Sequence, residues 1–371
     1  MRKNLKFLVF CLLALAVLVW FGWNLDWAEA AESIRRADWR LVAAAVCFVW
    51  LTYLIRAFRW RTLLAPLAPR ASLREAFAAT TVGFSAIFLV GRAVGEVLRP
   101  AYLALRDPEV KTGPAFVTIA VERVFDMSAV VLLFAANLII LRLPGADEAT
   151  AARVREAGLL LLACAAAGLA VLAYARRHAE AASGWLEVRL ARAPAAAGRA
   201  GRVLAGLLVQ TARTLDVLAG GRALALTVGW TAALWAAITA ANLLVLRAFG
   251  LPVGVSETVF VLGWSLVGSL VPTPGGGAGT YHLATAYGLI LVLGGGEQTA
   301  NVAKAAVIVL NLVVFGSALF FGVYYFLRSG VGLARLRGLA AGDGAAVRDG
   351  HVGAGTPDER AGREVARGAR A

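Results

Sequence analysis

The chain has 371 residues, of which 60% are hydrophobic and 16% charged, and Lys and Arg outnumber Asp and Glu by 37 to 23. Average soluble domains carry about 25% charged residues. With a mean hydropathy of +0.73, a soluble globule, a disordered chain and a collagen-like repeat are excluded, and a polytopic membrane protein is left.

The first apolar run is Phe7–Trp23, preceded by Arg2, Lys3 and Lys6. Ala28-Glu29-Ala30 resembles a signal-peptidase site, but a signal h-region is about 7–15 residues. The longer run with Trp20 and Trp23 suits a retained helix with its N-terminus in the cytoplasm. The second span, about Leu41–Arg59, exits into Arg56, Arg59, Arg61 and Arg70, read as a cytoplasmic signature. Spans follow at Ala115–Leu141 and Ala157–Tyr174. Residues 176–222 then carry eight Arg against three acids. Their apolar positions recur at helical spacing, which reads as an amphipathic helix on the anionic inner leaflet, with a solvated linker as the alternative. The last two spans are Leu224–Leu246 and Val302–Leu327. Residues 329–371 hold almost no large apolar side chain and read as a disordered cytoplasmic tail.

Two regions fit neither a span nor a loop. In residues 75–105 and 256–294, short apolar limbs flank GRAVGEVLRP and PTPGGGAGTYH. Limbs of about 12–16 residues reach about 18–24 Å at about 1.5 Å per residue. That is short of the about 30 Å hydrocarbon core. They read as re-entrant helical hairpins, with four short tilted spans as the alternative. Shifting the sequence by 184 puts Ser72 on Ser256, Ser85 on Ser269, Gly91 on Gly275, Gly95 on Gly279 and Leu105 on Leu289. The expected fold is therefore all-α: about six full spans plus two re-entrant hairpins, in an inverted repeat with halves at about 41–141 and 224–327.

Arg92, Glu96 and Arg99 fall on one helix face, and Glu122 and Asp126 share another beside Arg123. Ionisable groups at membrane depth are usually paired, cavity-facing and functional. A mutual arginine–carboxylate network could take a lipid phosphate; placement at the interface with snorkelling stays open. Gly275, Gly276, Gly277 and Gly279 form a loop of backbone donors ahead of a short helix, a pattern suited to anions. Tyr281 and His282 follow in its first turn. No Gly-Lys-Ser/Thr follows, so this is not a nucleotide loop. The three cysteines and three histidines are scattered, so no metal or other cofactor is expected, and the placement of the basic residues argues against nucleic acid.

Together, Gly91-Arg92-Ala93-Val94-Gly95-Glu96 with Arg99, Glu122-Arg123-Val124-Phe125-Asp126 and Pro272-Thr273-Pro274-Gly275-Gly276-Gly277-Ala278-Gly279 resemble the marks of one family. It is the lysylphosphatidylglycerol synthase transmembrane region, also called the flippase-like domain or uncharacterised protein family 0104. The resemblance covers about residues 5–328. Departures are Val90 for a common Pro, Val130 for Leu, and Thr280-Tyr281-His282 where many members have a Glu. The resemblance implies a lipid flippase or transporter of the bacterial inner membrane, moving a phospholipid, aminoacylated lipid or glycolipid. Membrane lipids with an anionic headgroup are the expected partners, and a separate lipid-modifying enzyme is another. No synthase domain is expected after Arg328, so no lysyltransferase activity is expected. A transferase on a lipid-linked substrate, a non-transporting partner of a synthase, and a solute or ion transporter remain open.

Overall fold

The computed structural model describes residues 19–23, 25–141, 148–177, 220–271, 274–294 and 296–330. Every regular element among them is a helix. Most of the first expected span, nearly all of the basic segment 176–222 and the tail from 331 lie outside the described residues. Asp26 opens α1 (Trp27–Arg36) by accepting from the N–H groups of Ala28 and Glu29 at 2.9 and 3.0 Å. Asp38 opens α2 (Trp39–Leu64) in the same way, through the Arg40 N–H at 2.9 Å. The other helices are α3 (Leu73–Leu89), α4 (Arg92–Arg106), α5 (Thr112–Ile140), α6 (Glu148–Arg177), α7 (Gly221–Ala248), α8 (Val255–Gly268), α9 (Thr280–Leu293), α10 (Glu297–Asn311) and α11 (Ala318–Arg328). A π-helical turn, Leu312–Gly316, joins α10 to α11.

Four described segments are long and apolar enough to cross a membrane: Trp39–Leu64, Ala115–Ile140, Gly221–Ala248 and Gln298–Arg328. The expected span at 157–174 falls inside α6, which is not one of the four. The chain is thus an all-helical, polytopic membrane protein.

The two Gly-rich regions form helix pairs whose limbs pack together, α3 with α4 and α8 with α9. Their limbs hold 14–17 residues, about 21–26 Å long at about 1.5 Å per residue. The first pair turns at Gly91, where φ is 126°. The second turns through a four-residue helical turn, Pro274–Gly277, and Gly275, Gly277 and Gly279 have φ of 74°, 89° and 88°. Only glycine adopts such backbone without strain. Limb contact is also glycine-dependent. A Cβ on Gly95 would overlap the Gly83 carbonyl oxygen, and one on Gly268 would lie 2.6 Å from the Thr280 carbonyl oxygen.

A shift of 184 carries α2 onto α7, α3 onto α8, α4 onto the glycine turn and α9, and α5 onto the π-interrupted span α10–α11. α2 and α7 pack along each other, joining Val49 and Tyr53 to Ala241 and Val245 in one core. Each helix pair also leans on the opposite half. Ser85 of α3 donates to the Ala318 carbonyl at 3.0 Å, and Asn137 of α5 donates to the Ser256 carbonyl of α8 at 3.0 Å. A Cβ on Gly322 would overlap Ser85 Oγ and lie 2.5 Å from the Thr81 carbonyl oxygen. Gly322→Leu is therefore expected to lower stability by about 1–3 kcal/mol, read as thermal denaturation in detergent. Gly168→Leu, where a Cβ meets nothing within 4 Å, should leave it unchanged.

Candidate functional site

Charged residues at intervals of four and three put Arg92, Glu96 and Arg99 on one face of α4. Arg92 Nε donates to Glu96 Oε1 at 3.2 Å. Arg99 reaches across to α5 and donates to both carboxylate oxygens of Glu122, at 2.5 and 3.3 Å. One turn further along α5, Asp126 accepts from Arg59 of α2 at 2.6 Å. Arg59 Nε also stands 3.7 Å from Glu122, and Arg59 Nη1 donates to Thr231 Oγ1 of α7 at 3.1 Å. Arg56 stands 3.8 Å from Asp126. Arg123 lies between Glu96 and Asp126, at 3.8 and 3.7 Å.

The inner part of the network is out of solvent: Arg59 and Glu122 are 0% exposed, Asp126 2%, Arg99 3% and Arg56 9%, while Arg92, Glu96 and Arg123 are half-buried at its edge. Burying lone charges costs several kcal/mol each, and mutual pairing offsets that cost only with good geometry and further contacts. Aromatic faces supply part of the remainder. Arg99 lies 4.2 Å over the Trp60 ring and Arg56 4.7 Å over Phe84. Trp60 is itself fixed by donating to Thr118 Oγ1 at 2.9 Å.

Five arginines (Arg56, Arg59, Arg92, Arg99 and Arg123) share three carboxylates (Glu96, Glu122 and Asp126) through these ion pairs. The cluster carries two more positive than negative charges. Arg56 Nε and Nη1, Arg59 Nε and Nη2, Arg99 Nε and Arg123 Nε have no hydrogen-bond partner among the described residues.

The cluster forms one wall of a cavity of about 150 Å³ between the two halves. Arg56, Arg92, Glu96, Arg123 and Asp126 are its charged side. The second half contributes Trp235, Asn242, Ser269, Gly277 and Phe315. Pockets for whole small ligands are about 300–1,000 Å³, so this space is smaller than a whole-ligand pocket. The glycine turn packs against α3, so the second pair's tip meets a limb of the first.

Of the residues expected from sequence, Arg92, Glu96, Arg123, Asp126 and Gly277 reach the cavity wall. Arg99 and Glu122 stand behind it in the network. Gly275 and Gly279 shape the turn without entering the wall, and Gly276 lies in the same four-residue turn. Tyr281 and His282 turn away from it. Tyr281 meets Phe315 edge-on with ring centroids 5.5 Å apart, and His282 lies 5.5 Å from Phe21. His282 Nδ1 accepts from the Gly279 N–H at 3.4 Å, the contact that a capping-box Glu makes at the third helical position.

Sequence reasoning missed Arg56 and Arg59 as site residues, having read them as the cytoplasmic exit of the second span. The available signal was that the apolar residues Trp60, Leu63 and Leu64 follow them, so both arginines precede the end of an apolar helix. Among the described residues no three or more His, Cys, Asp or Glu side chains group as a metal site would.

The chain is 26% identical to a protein named glycosyltransferase AglD of Haloferax volcanii over 298 residues, 75% of this chain and 47% of that protein. It thus spans about half the length of the curated relative it matches. No solved structure matches. The sequence model of one family, described as the lysylphosphatidylglycerol synthase TM region, matches residues 5–322, and the chain belongs to that family.

Proposed function

We propose that this protein is a lipid flippase or lipid transporter of the bacterial inner membrane, moving a phospholipid, aminoacylated lipid or glycolipid between leaflets. The observation that carries this reading is the arginine-rich wall, backed by a buried ion-pair network, that faces a cavity lined from both ends of the sequence. Guanidinium forks match phosphate oxygens, and transporter sites commonly lie between repeats at mid-membrane. In this reading the halves are an inverted repeat and the two helix pairs are re-entrant. One half rocks against the other to open the cavity to each leaflet in turn. Arg56, Arg92 and Arg123 face the headgroup. Glu96, Glu122 and Asp126 hold the arginines apart, and Gly277 brings the second tip to the wall.

Reconstitution in proteoliposomes tests the proposal. Reporter phospholipids should cross at least tenfold faster than in empty liposomes, and Glu96→Gln should slow them at least tenfold. No transfer above empty liposomes, with folded protein and a broad lipid panel, would overturn it. Single cysteines at positions 90–95 test the re-entrant topology: labelling from one side only is expected, and an intact crossing would sink the hairpin.

The likeness to a protein named a glycosyltransferase favours a second reading, a sugar transferase, here taken to act on a lipid-linked substrate. Glu122 is poorly placed to serve as its base, since both of its oxygens are held by Arg99. A glycosylated lipid formed by the purified protein would support that reading.

A further inference from the structure

We infer that the cavity selects a compact dianionic headgroup, a phosphomonoester or diphosphate, over zwitterionic and cationic ones. The inference rests on the transport reading and narrows its cargo. Its ground is the charge of the whole connected cluster. Five arginines against three carboxylates leave two positive charges with no protein counter-charge in the network. Every carboxylate is already engaged by at least two arginines. Glu96 meets Arg92 and Arg123, Glu122 meets Arg99 and Arg59, and Asp126 meets Arg59, Arg56 and Arg123. No acid is left over for an ammonium group. Adding a cation would raise the buried charge further, where desolvation is most costly. A dianion brings the cluster to neutrality.

The donors point the same way. Arg56 lines the cavity, is 9% exposed, and has Nε and Nη1 without a hydrogen-bond partner among the described residues. Arg123, also in the wall, has Nε 3.8 Å from Glu96 and without a hydrogen bond among the described residues. Two guanidinium groups whose carboxylates stand beyond hydrogen-bond distance suit phosphate oxygens, which accept charge-assisted bonds in forks.

The deciding experiment uses the full chain in proteoliposomes with four lipids sharing one reporter tail. Their heads are a phosphomonoester (phosphatidic acid), phosphatidylglycerol, phosphatidylethanolamine and lysylphosphatidylglycerol. Transfer is expected to fall in that order, by at least tenfold from first to last. Arg56→Gln should slow the phosphomonoester at least tenfold and flatten the order, and Arg56→Lys should restore part of the difference. The order is read on the parent protein, so it stands even where the Gln variant does not fold.

Lysylphosphatidylglycerol moving as fast as phosphatidic acid would overturn the headgroup inference and leave transport intact. Loss of all transfer would overturn the transport reading instead. In that case thermal shifts of detergent-solubilised protein with short-chain phosphatidic acid, pyrophosphate and inorganic phosphate still test the site. Stabilisation by the lipid and not by free phosphate assigns it to a headgroup. Stabilisation by all three keeps the anion site but not its lipid source, and stabilisation by none overturns it.

Discussion

Arg59→Met is expected to cost about 3–5 kcal/mol, the usual penalty for removing one partner of a buried ion pair. Arg59 is 0% exposed, donates to Asp126 at 2.6 Å and to Thr231 at 3.1 Å, and stands 3.7 Å from Glu122. It therefore ties α2, α5 and α7 together. Methionine keeps most of the volume and removes the charge. Asp126 would keep only Arg56 and Arg123, each nearly 4 Å away. The check is thermal denaturation in detergent, followed by size-exclusion chromatography. Pairing the change with Asp126→Asn should recover about 0.5–3 kcal/mol, the coupling expected of residues in direct contact. A single variant that melts with the parent would show that Arg59 carries no such weight.

On the proposed transport function, Gly95→Ile is expected to slow lipid transfer at least tenfold. A Cβ at position 95 overlaps the Gly83 carbonyl oxygen and lies 2.8 Å from the Ile87 backbone nitrogen. The opposing atoms are backbone, so the limbs must part. Overpacking of this kind costs about 1–3 kcal/mol, which the fold can survive. The cavity geometry cannot, because Glu96 is the next residue and Arg92 precedes it by one turn. Lipid transfer should thus fall far more than the melting temperature does. Equal loss of both would make Gly95 a folding residue alone.

Much of this architecture was legible in the sequence, for identifiable reasons. Apolar runs interrupted by Gly and Pro marked both helix pairs, because only glycine tolerates the backbone at Gly91, Gly275, Gly277 and Gly279. Spacing on α4 and α5 grouped Arg92, Glu96 and Arg99, and Glu122 and Asp126. Two things escaped. Arg56 and Arg59 looked like interfacial anchors, because positive residues near a span end usually are. Their burial depends on carboxylates 63 to 70 residues away, a tertiary relation that local pattern does not carry. Tyr281 and His282 looked available because they follow a glycine loop. Their orientation is set by Phe315 and Phe21, both distant in sequence.

The π turn at Leu312–Gly316 gives the last span a mechanical character of its own. Wide turns leave carbonyls outside the regular α-helical ladder. Here the Val314 and Ser317 carbonyls accept from Tyr53 and Trp50 of α2, at 3.4 and 3.3 Å. The span is two rods with a phase offset between them. In a regular helix each residue turns the axis by about 100°. Deleting one residue from the regular turns of α10 would swing the whole α11 rod by about that angle, whereas the π turn takes up its own extra residue locally. Gly322 would leave Ser85, and the Trp50–Phe320 stack, now 5.3 Å between centroids, would open. Phase, rather than length or apolarity, is what this span has to conserve.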